Sequence, residues 1–227
     1  VHSKQTANEL FSSPKWLDIN TIQSGHDHSS IKFMREATLN NNSNLQPFIN
    51  LEPWYEGIKN DFYADDQRLA FWTMILSGAK GYSYGANGIW QMSTKNDPFL
   101  SHWGVSDWRD SLMYDGAKQL GLSKKWLEKL QWWLIEPIDN SLIDPIAIKP
   151  LIAKIKNTHK IIYFPVRRGS QNQVVVKIDN TYKYQVNNYN PLSLKLISKS
   201  IVSNSKSITL THRLKTDLLV SIIRLKK

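Results

Sequence analysis

A strand that stops, a helix, and another strand that stops, repeating at about thirty residues, is the feature that most limits what this chain folds into. The strand ends fall at about Gln23, Leu51 and Ser83, which are 28 and 32 residues apart. Trp16–Gln23 reads as a strand with apolar side chains at Leu17, Ile19 and Ile22. Ser29-Ser30 is placed to cap a helix from Ile31 to about Leu39, with Ile31, Met34 and Leu39 on its apolar side. Asn40 to Asn44 is a loop by composition, and Pro47–Leu51 is the next strand. Asp65-Asp66 puts acids at the positive end of a helix expected from Gln67 to about Ser77, buried through Leu69, Phe71, Trp72, Ile75 and Leu76 and closed by Gly78. Ala79–Tyr84 is the third strand. Alternation of this kind implies parallel strands with helices outside them. A TIM-type barrel uses about 250 residues for eight units, or roughly 31 each, so the spacing fits a β/α barrel.

The second half changes character. Residues 1–136 hold 13 Lys and Arg against 15 Asp and Glu, whereas residues 137–227 hold 16 against 4. All nine Trp precede residue 134. Two helices are expected before the change, from about Asp107 (capped by Ser106 or Asp107) to Leu120, and from Ser123 to about Trp133, with Gly121 between them. A boundary is expected near Glu136-Pro137, followed by a linker over 137–158 that Asp144-Pro145 and Lys149-Pro150 break up. From Lys160 the apolar period becomes two. Strands are expected at Ile161–Val166, Gln173–Ile178, Tyr182–Val186, Ser193–Ile197, Ser207–Thr211 and Leu218–Leu225, with turns at Arg168-Gly169-Ser170, Asp179-Asn180 and Asn187-Asn188. Short strands at this spacing read as a small antiparallel β-sandwich over 159–227. The fold class is therefore α/β followed by all-β. The plain reading of the basic half is a solvated lysine surface. The sharper one is attraction to an acidic polymer, nucleic acid or anionic polysaccharide. The basic residues are scattered singly, and no aromatic platform for stacked bases is visible, so no nucleic acid is expected.

No apolar run is long enough to span a bilayer. The opening Val-His-Ser-Lys-Gln has no apolar core of a signal peptide. With no Cys, disulfides and thiolate metal sites are excluded.

Chemistry concentrates at Gln46 to Glu56. The apolar run Phe48 to Leu51 stops at Glu52, and Pro53 ends the strand. A carboxylate at the end of a buried strand, ringed by aromatics, is costly unless it is used or paired. In parallel barrels the site lies at the C-terminal strand ends. Those ends carry Gln23 and His26, then Glu52, Trp54, Tyr55 and Glu56, then Tyr84, Asn87, Trp90 and Gln91, with Trp103 on a later loop. Glu52 is the candidate catalytic carboxylate. Gln23 and His26 offer hydrogen-bond donors at this rim. Trp54, Tyr55, Tyr84, Trp90 and Trp103 are candidates for substrate contact, while Trp72, Trp126, Trp132 and Trp133 are read as core. Glu56 is either a surface acid or a group that orients Glu52 or a hydroxyl, and Asn87 is either a turn residue or a hydroxyl ligand. His26 and His28 make a weak metal pair without a carboxylate third ligand, and no cofactor motif is visible.

The blocks Trp16–His26, Pro47–Glu56 and Gly81–Gln91 resemble successive motifs of the apiosidase-like glycoside hydrolases, β/α-barrel enzymes of polysaccharide-degrading bacteria. The resemblance covers about residues 10–135. It implies hydrolysis of a plant or pectin-type glycoside by a secreted or periplasmic parent enzyme. Glu52 then looks like the family's carboxylate at the end of the seventh strand. It also implies that residues 1–136 are the sixth to eighth units, the C-terminal portion of the barrel. Five earlier units would need about 155 further residues, and with them the partner acid of the fourth strand. The small β domain that often ends such proteins, labelled collagen-binding, is similar to the last segment in position and strand content. The alternative is a non-catalytic protein that holds a polysaccharide or matrix protein through its basic β domain.

Overall fold

The computed structural model describes residues 4–12, 14–42, 46–97, 100–138, 148–166, 172–213 and 215–226. A short helix α1 (Ala7–Leu10) opens the chain, closed at its start by a capping box in which Thr6 and Glu9 exchange bonds. Strand β1 (Asn20–Gln23) follows, then helix α2 (Ser30–Asn41), β2 (Phe48–Glu52), the two-residue β3 (Tyr55–Glu56), helix α3 (Ala64–Leu76), β4 (Gly81–Tyr82) and β5 (Gly85–Ala86). Helices α4 (Trp108–Ser111) and α5 (Asp115–Leu127) complete the mixed α/β part.

Strands β1, β2 and β4 form a parallel sheet in that order, as the alternation requires. One face is covered: Ile22 and Phe48 pack with Ile31 and Met34 of α2 and with Trp72, Met74 and Leu76 of α3. The other face, carrying Thr21, Gln23, Ile49 and Leu51, has no such cover, and Leu51 is 51% exposed. Parallel sheets are normally buried on both faces.

Several expectations shift. The first strand is four residues long rather than eight, because Trp16 and Ile19 are exposed and only Ile22 of the three apolar positions is buried. Helix α2 runs through Asn41, whose side chain receives a bond from Asn20 and gives one to the Gln46 carbonyl, so the asparagine run begins inside a helix. Neither serine caps it as expected, for both hydroxyls turn back to Asp27. Asp107 does cap α4, through the Arg109 N–H. The helix break expected at Gly121 occurs instead at residues 112–114, and α5 passes straight through Gly121, which meets nothing a Cβ would strike. Trp72 and Trp126 are core, Trp132 is partly buried against it, and Trp133 is exposed.

The second half is a sheet of β6 (Ile135–Pro137), β7 (Leu151–Ile155), β8 (His159–Phe164), β10 (Tyr184–Tyr189), β11 (Leu196–Val202) and β13 (Leu218–Arg224), with β9 (Gln173–Lys177) and β12 (Ser207–Thr211) as a separate ribbon. The six-stranded order is β11-β10-β13-β8-β7-β6, antiparallel throughout. Strand β7 thus falls inside the stretch expected as a linker. Asn187-Asn188 is not a turn but the middle of β10, bonded on both sides, and the reversal comes at Asn190 to Lys195. The Arg168-Gly169-Ser170 turn and Asp144-Pro145 lie outside the described residues.

Alternation along these strands feeds two cores. Ala153, Ile161, Tyr163 and Leu219 face the helices and continue the core that holds Trp72 and Trp126. Ile162, Phe164, Val186, Val220 and Ile222 face the opposite way, under Val176 and Ile208 of the β9–β12 ribbon. The change of composition near residue 136 therefore marks no break in packing. Tyr163 stacks on Trp72 at 5.9 Å, and a buried polar knot joins the halves: Arg68 of α3 donates to Asp217 at 2.7 Å, which also accepts from the Tyr163 hydroxyl and the Val166 N–H.

His159 adds a pH dependence to this sheet. Its Nε2 lies 2.6 Å from the Ser221 hydroxyl, and burial pushes its pKa down to about 4. Above pH 6.5 the ring is neutral folded or unfolded. Between about pH 6.5 and 4 the unfolded chain takes the proton and the native one refuses it, so stability falls by roughly 2–3 kcal/mol. Chemical denaturation at pH 7 and pH 4 measures the loss. His159→Gln, which keeps a partner for Ser221, removes that share of the acid slope, and an unchanged slope refutes the assignment.

Candidate active site

Glu52 reaches its place through a fault in the ladder. Thr21 pairs with Ile49 and Ile22 with Asn50, but Gln23 pairs with Glu52, leaving Leu51 as an extra residue. Without that bulge Leu51 would stand beside Gln23. With it, the Glu52 carboxylate turns to the uncovered face, on which Gln23 lies. Bulges beside functional sites commonly re-aim a side chain in this way. The covered face holds the irregularity in register: buried Asn50 donates to the Ser24 hydroxyl at 3.0 Å and accepts from the Glu52 N–H at 3.3 Å, and the Ser24 N–H donates to the Glu52 carbonyl at 3.0 Å. Asn50 and Ser24 were not singled out in the sequence. A polar residue in the middle of the run Phe-Ile-Asn-Leu was the available signal.

The Glu52 side chain is 22% exposed, and His26, only 8% exposed, places Nε2 at 3.5 Å from Oε1. The imidazole lies between the rings of Tyr55 at 4.7 Å and Trp103 at 4.8 Å. Burial pulls the His26 pKa below its ordinary value, against the pull of Glu52 in the other direction. The Tyr55 phenol is pushed up, by burial first and then by the Glu52 carboxylate, with which it shares a hydrogen bond. Glu52 is thus a carboxylate oriented from two sides with one edge toward solvent. Buried Gln23 Oε1 and His26 Nδ1 have no partner among the described residues. Beside this group Tyr55, Tyr84 and Trp90 help line a hollow of about 250 Å³, whose Trp90 is 59% exposed.

Other expected substrate contacts lie elsewhere. Trp54 is buried, its indole N–H donating to the Asp27 carbonyl and the Ser30 hydroxyl, so it pins the loop carrying His26 instead of facing a sugar. Asn87 is buried and its amide ties the 103–106 loop through the Gly104 carbonyl and Ser106 hydroxyl. Gln91 closes a turn by accepting from the Gly88 N–H. Glu56 is 2% exposed and neither a surface acid nor a rim group: its carboxylate accepts from the Tyr84 hydroxyl at 2.6 Å and the Gly116 N–H at 3.2 Å. Burial raises its pKa against both bonds. A Cβ at Gly116 would collide with the Glu56 carboxylate. Gly116→Ala is therefore expected to cost about 1–3 kcal/mol in urea unfolding, and an unchanged midpoint would show that Glu56 moves aside freely.

Among the described residues no three His, Asp or Glu side chains converge as metal ligands, and no helix is long and apolar enough to cross a membrane.

A parallel sheet flanked by helices and joined to an antiparallel sheet is a fold this chain shares with solved structures of glycoside hydrolases. One such structure, described as a glycoside hydrolase, superimposes with a TM-score of 0.77 at 18% identity over 99% of this chain and 56% of its own. A glycoside hydrolase family 5 protein from Bacteroides vulgatus gives 0.76 at 20% identity over 96% of this chain and 54% of its own. The chain thus spans about half the length of the solved structures it matches. The apiosidase-like catalytic domain model matches residues 1–134, and the chain belongs to that family. A comparison with curated proteins returns no match.

Proposed function

We propose that this chain carries one half of a glycosidase site, with Glu52 as the catalytic carboxylate acting on a plant or pectin-type glycoside. The observation that carries the reading is the bulge that turns Glu52 onto the uncovered sheet face, 3.5 Å from His26. Glycoside hydrolysis uses two carboxyl groups, about 5–5.5 Å apart for retention and about 6.5–9.5 Å for inversion. Glu56, bonded inside the core, is no candidate for the second. The uncovered face of the β1-β2-β4 sheet, and a length about half that of the matched structures, support three β/α units of a longer TIM-type barrel that supplies the other acid. The six-stranded sheet and its ribbon then form an appended β-sandwich.

Within the site, His26 and Tyr55 hold the Glu52 carboxylate in one orientation. Gln23, paired in register with Glu52, keeps an amide beside the carboxylate, and Tyr84, Trp90 and Trp103 give ring faces for the sugar. The test is a glycoside panel assayed on the full-length enzyme and its Glu52→Gln variant. Turnover that vanishes in the variant supports the assignment, and turnover that persists overturns it.

A further inference from the structure

The outer face of the six-stranded sheet is crowded with positive charge at one end. Lys154 of β7 stands directly opposite Lys160 of β8 in the antiparallel register. Lys160 is also paired with Ile222, two residues before Arg224 on β13, so Arg224 shares its face. Like charges opposed across a ladder weaken it. Burial, and then Arg224 and Lys154, hold the Lys160 amine below its ordinary pKa. The β9–β12 ribbon covers the middle of this face and ends short of the charged edge, with Lys177 as the last residue of β9. Lys156 sits on the β7–β8 turn in a left-handed conformation, φ 53°.

These five cations line a single cleft of about 620 Å³. Two described carboxylates stand near them: Asp179, which accepts from the Thr181 N–H and hydroxyl, and Glu136, 3.1 Å from Lys154. The cleft therefore carries an excess of positive charge in a concave surface with apolar walls at Pro137, Ile138 and Ile178. A concave surface of one sign concentrates ligands of the other.

We propose that this cleft binds an anionic polysaccharide, a chain bearing carboxylates along its sugars. The choice of a glycan among polyanions rests on the glycosidase reading of the chain. It also rests on the aromatics at hand. Tyr184 in the cleft wall is buried, and the Tyr182 ring is covered by the Arg224 guanidinium at 4.4 Å, so neither offers a face for stacked bases. The lysines present point charges suited to spaced carboxylates.

Affinity electrophoresis of this chain in polygalacturonate, in neutral dextran and with duplex DNA as competitor tests the site. Retardation is expected in polygalacturonate only, weakening with salt. Lys156→Ala with Lys177→Ala, both exposed, weakens it about tenfold. Lys160→Met weakens it as well while raising Tm, since it removes one member of an opposed like-charge pair; a residue kept for folding would lower Tm. No retardation in polygalacturonate, retardation unchanged by these substitutions, or tighter binding of DNA overturns the proposal. Binding requires no turnover, so it is measured equally in Glu52→Gln, and a full-length parent that binds polygalacturonate through the cleft yet hydrolyses no glycoside in the panel overturns the glycosidase reading alone.

Discussion

On the proposed assignment, Glu52→Gln in a full-length parent is expected to lower kcat by about 10³-fold or more, roughly 4 kcal/mol of transition-state stabilisation, while leaving the unfolding midpoint within about 1 kcal/mol of the parent. The substitution keeps the size of the side chain and an acceptor oxygen for Tyr55, and the carboxylate it replaces is partly solvated. It removes only the negative charge that the proposed role requires. Glu56→Gln is the opposite case. That group is buried between Tyr84 and Gly116, four residues further on, and its replacement is expected to act on stability through those two bonds rather than on the chemical step. Steady-state kinetics and thermal unfolding on both variants separate the two. Equal kinetic losses at Glu52 and Glu56 would refute the division of roles.

Asp217→Ala is expected to destabilise the protein by about 3–5 kcal/mol. Arg68 and Asp217 are both nearly fully buried and lie 2.7 Å apart. Burial opposes the Arg68 charge, and Asp217 outweighs it, so the guanidinium is held more firmly protonated than usual. Removing Asp217 leaves that charge in the core without a counterion and deprives the Tyr163 hydroxyl and Val166 N–H of their acceptor. Domains are stable by only about 5–15 kcal/mol, so the loss is a large share, worth roughly 10 °C in Tm at this chain length. The double change Arg68→Met, Asp217→Leu recovers much of it, because an apolar pair of similar volume avoids the desolvation cost. Urea unfolding checks both. The knot links α3 to the end of the chain, so Asp217→Ala also lowers the stability of the segment bearing Glu52. A variant that unfolds in two separate steps would show instead that the halves are independent.

Alternation and spacing made the parallel strands legible, because side-chain period and turn chemistry are local properties. Glu52 was legible for the same reason: an apolar run that ends at an acid and a proline is visible without neighbours. Most strands after residue 158 follow the period of two, but β7 lies inside the stretch expected as a linker, and Asn187-Asn188, expected as a turn, is strand. Local propensity is weak there, and bonding to strands on both sides decided for β10.

The sequence by itself determined the strand–helix alternation of the first half, the strand end that bears the acid, and the excess of positive charge after residue 136. Tertiary structure alone decided which polar and aromatic residues face outward. Trp54, Glu56 and Asn87 are the residue types expected at a sugar site, and packing turned each of them inward. It also decided that Glu52 and Gln23 share a face, since one extra residue in a strand reverses the side to which the next side chain points. Scattered lysines at 154, 156, 160 and 177 became one cleft only when antiparallel pairing brought them together. Distances between residues far apart in the chain are set by sheet register and core packing, and neither is written in any local stretch of sequence.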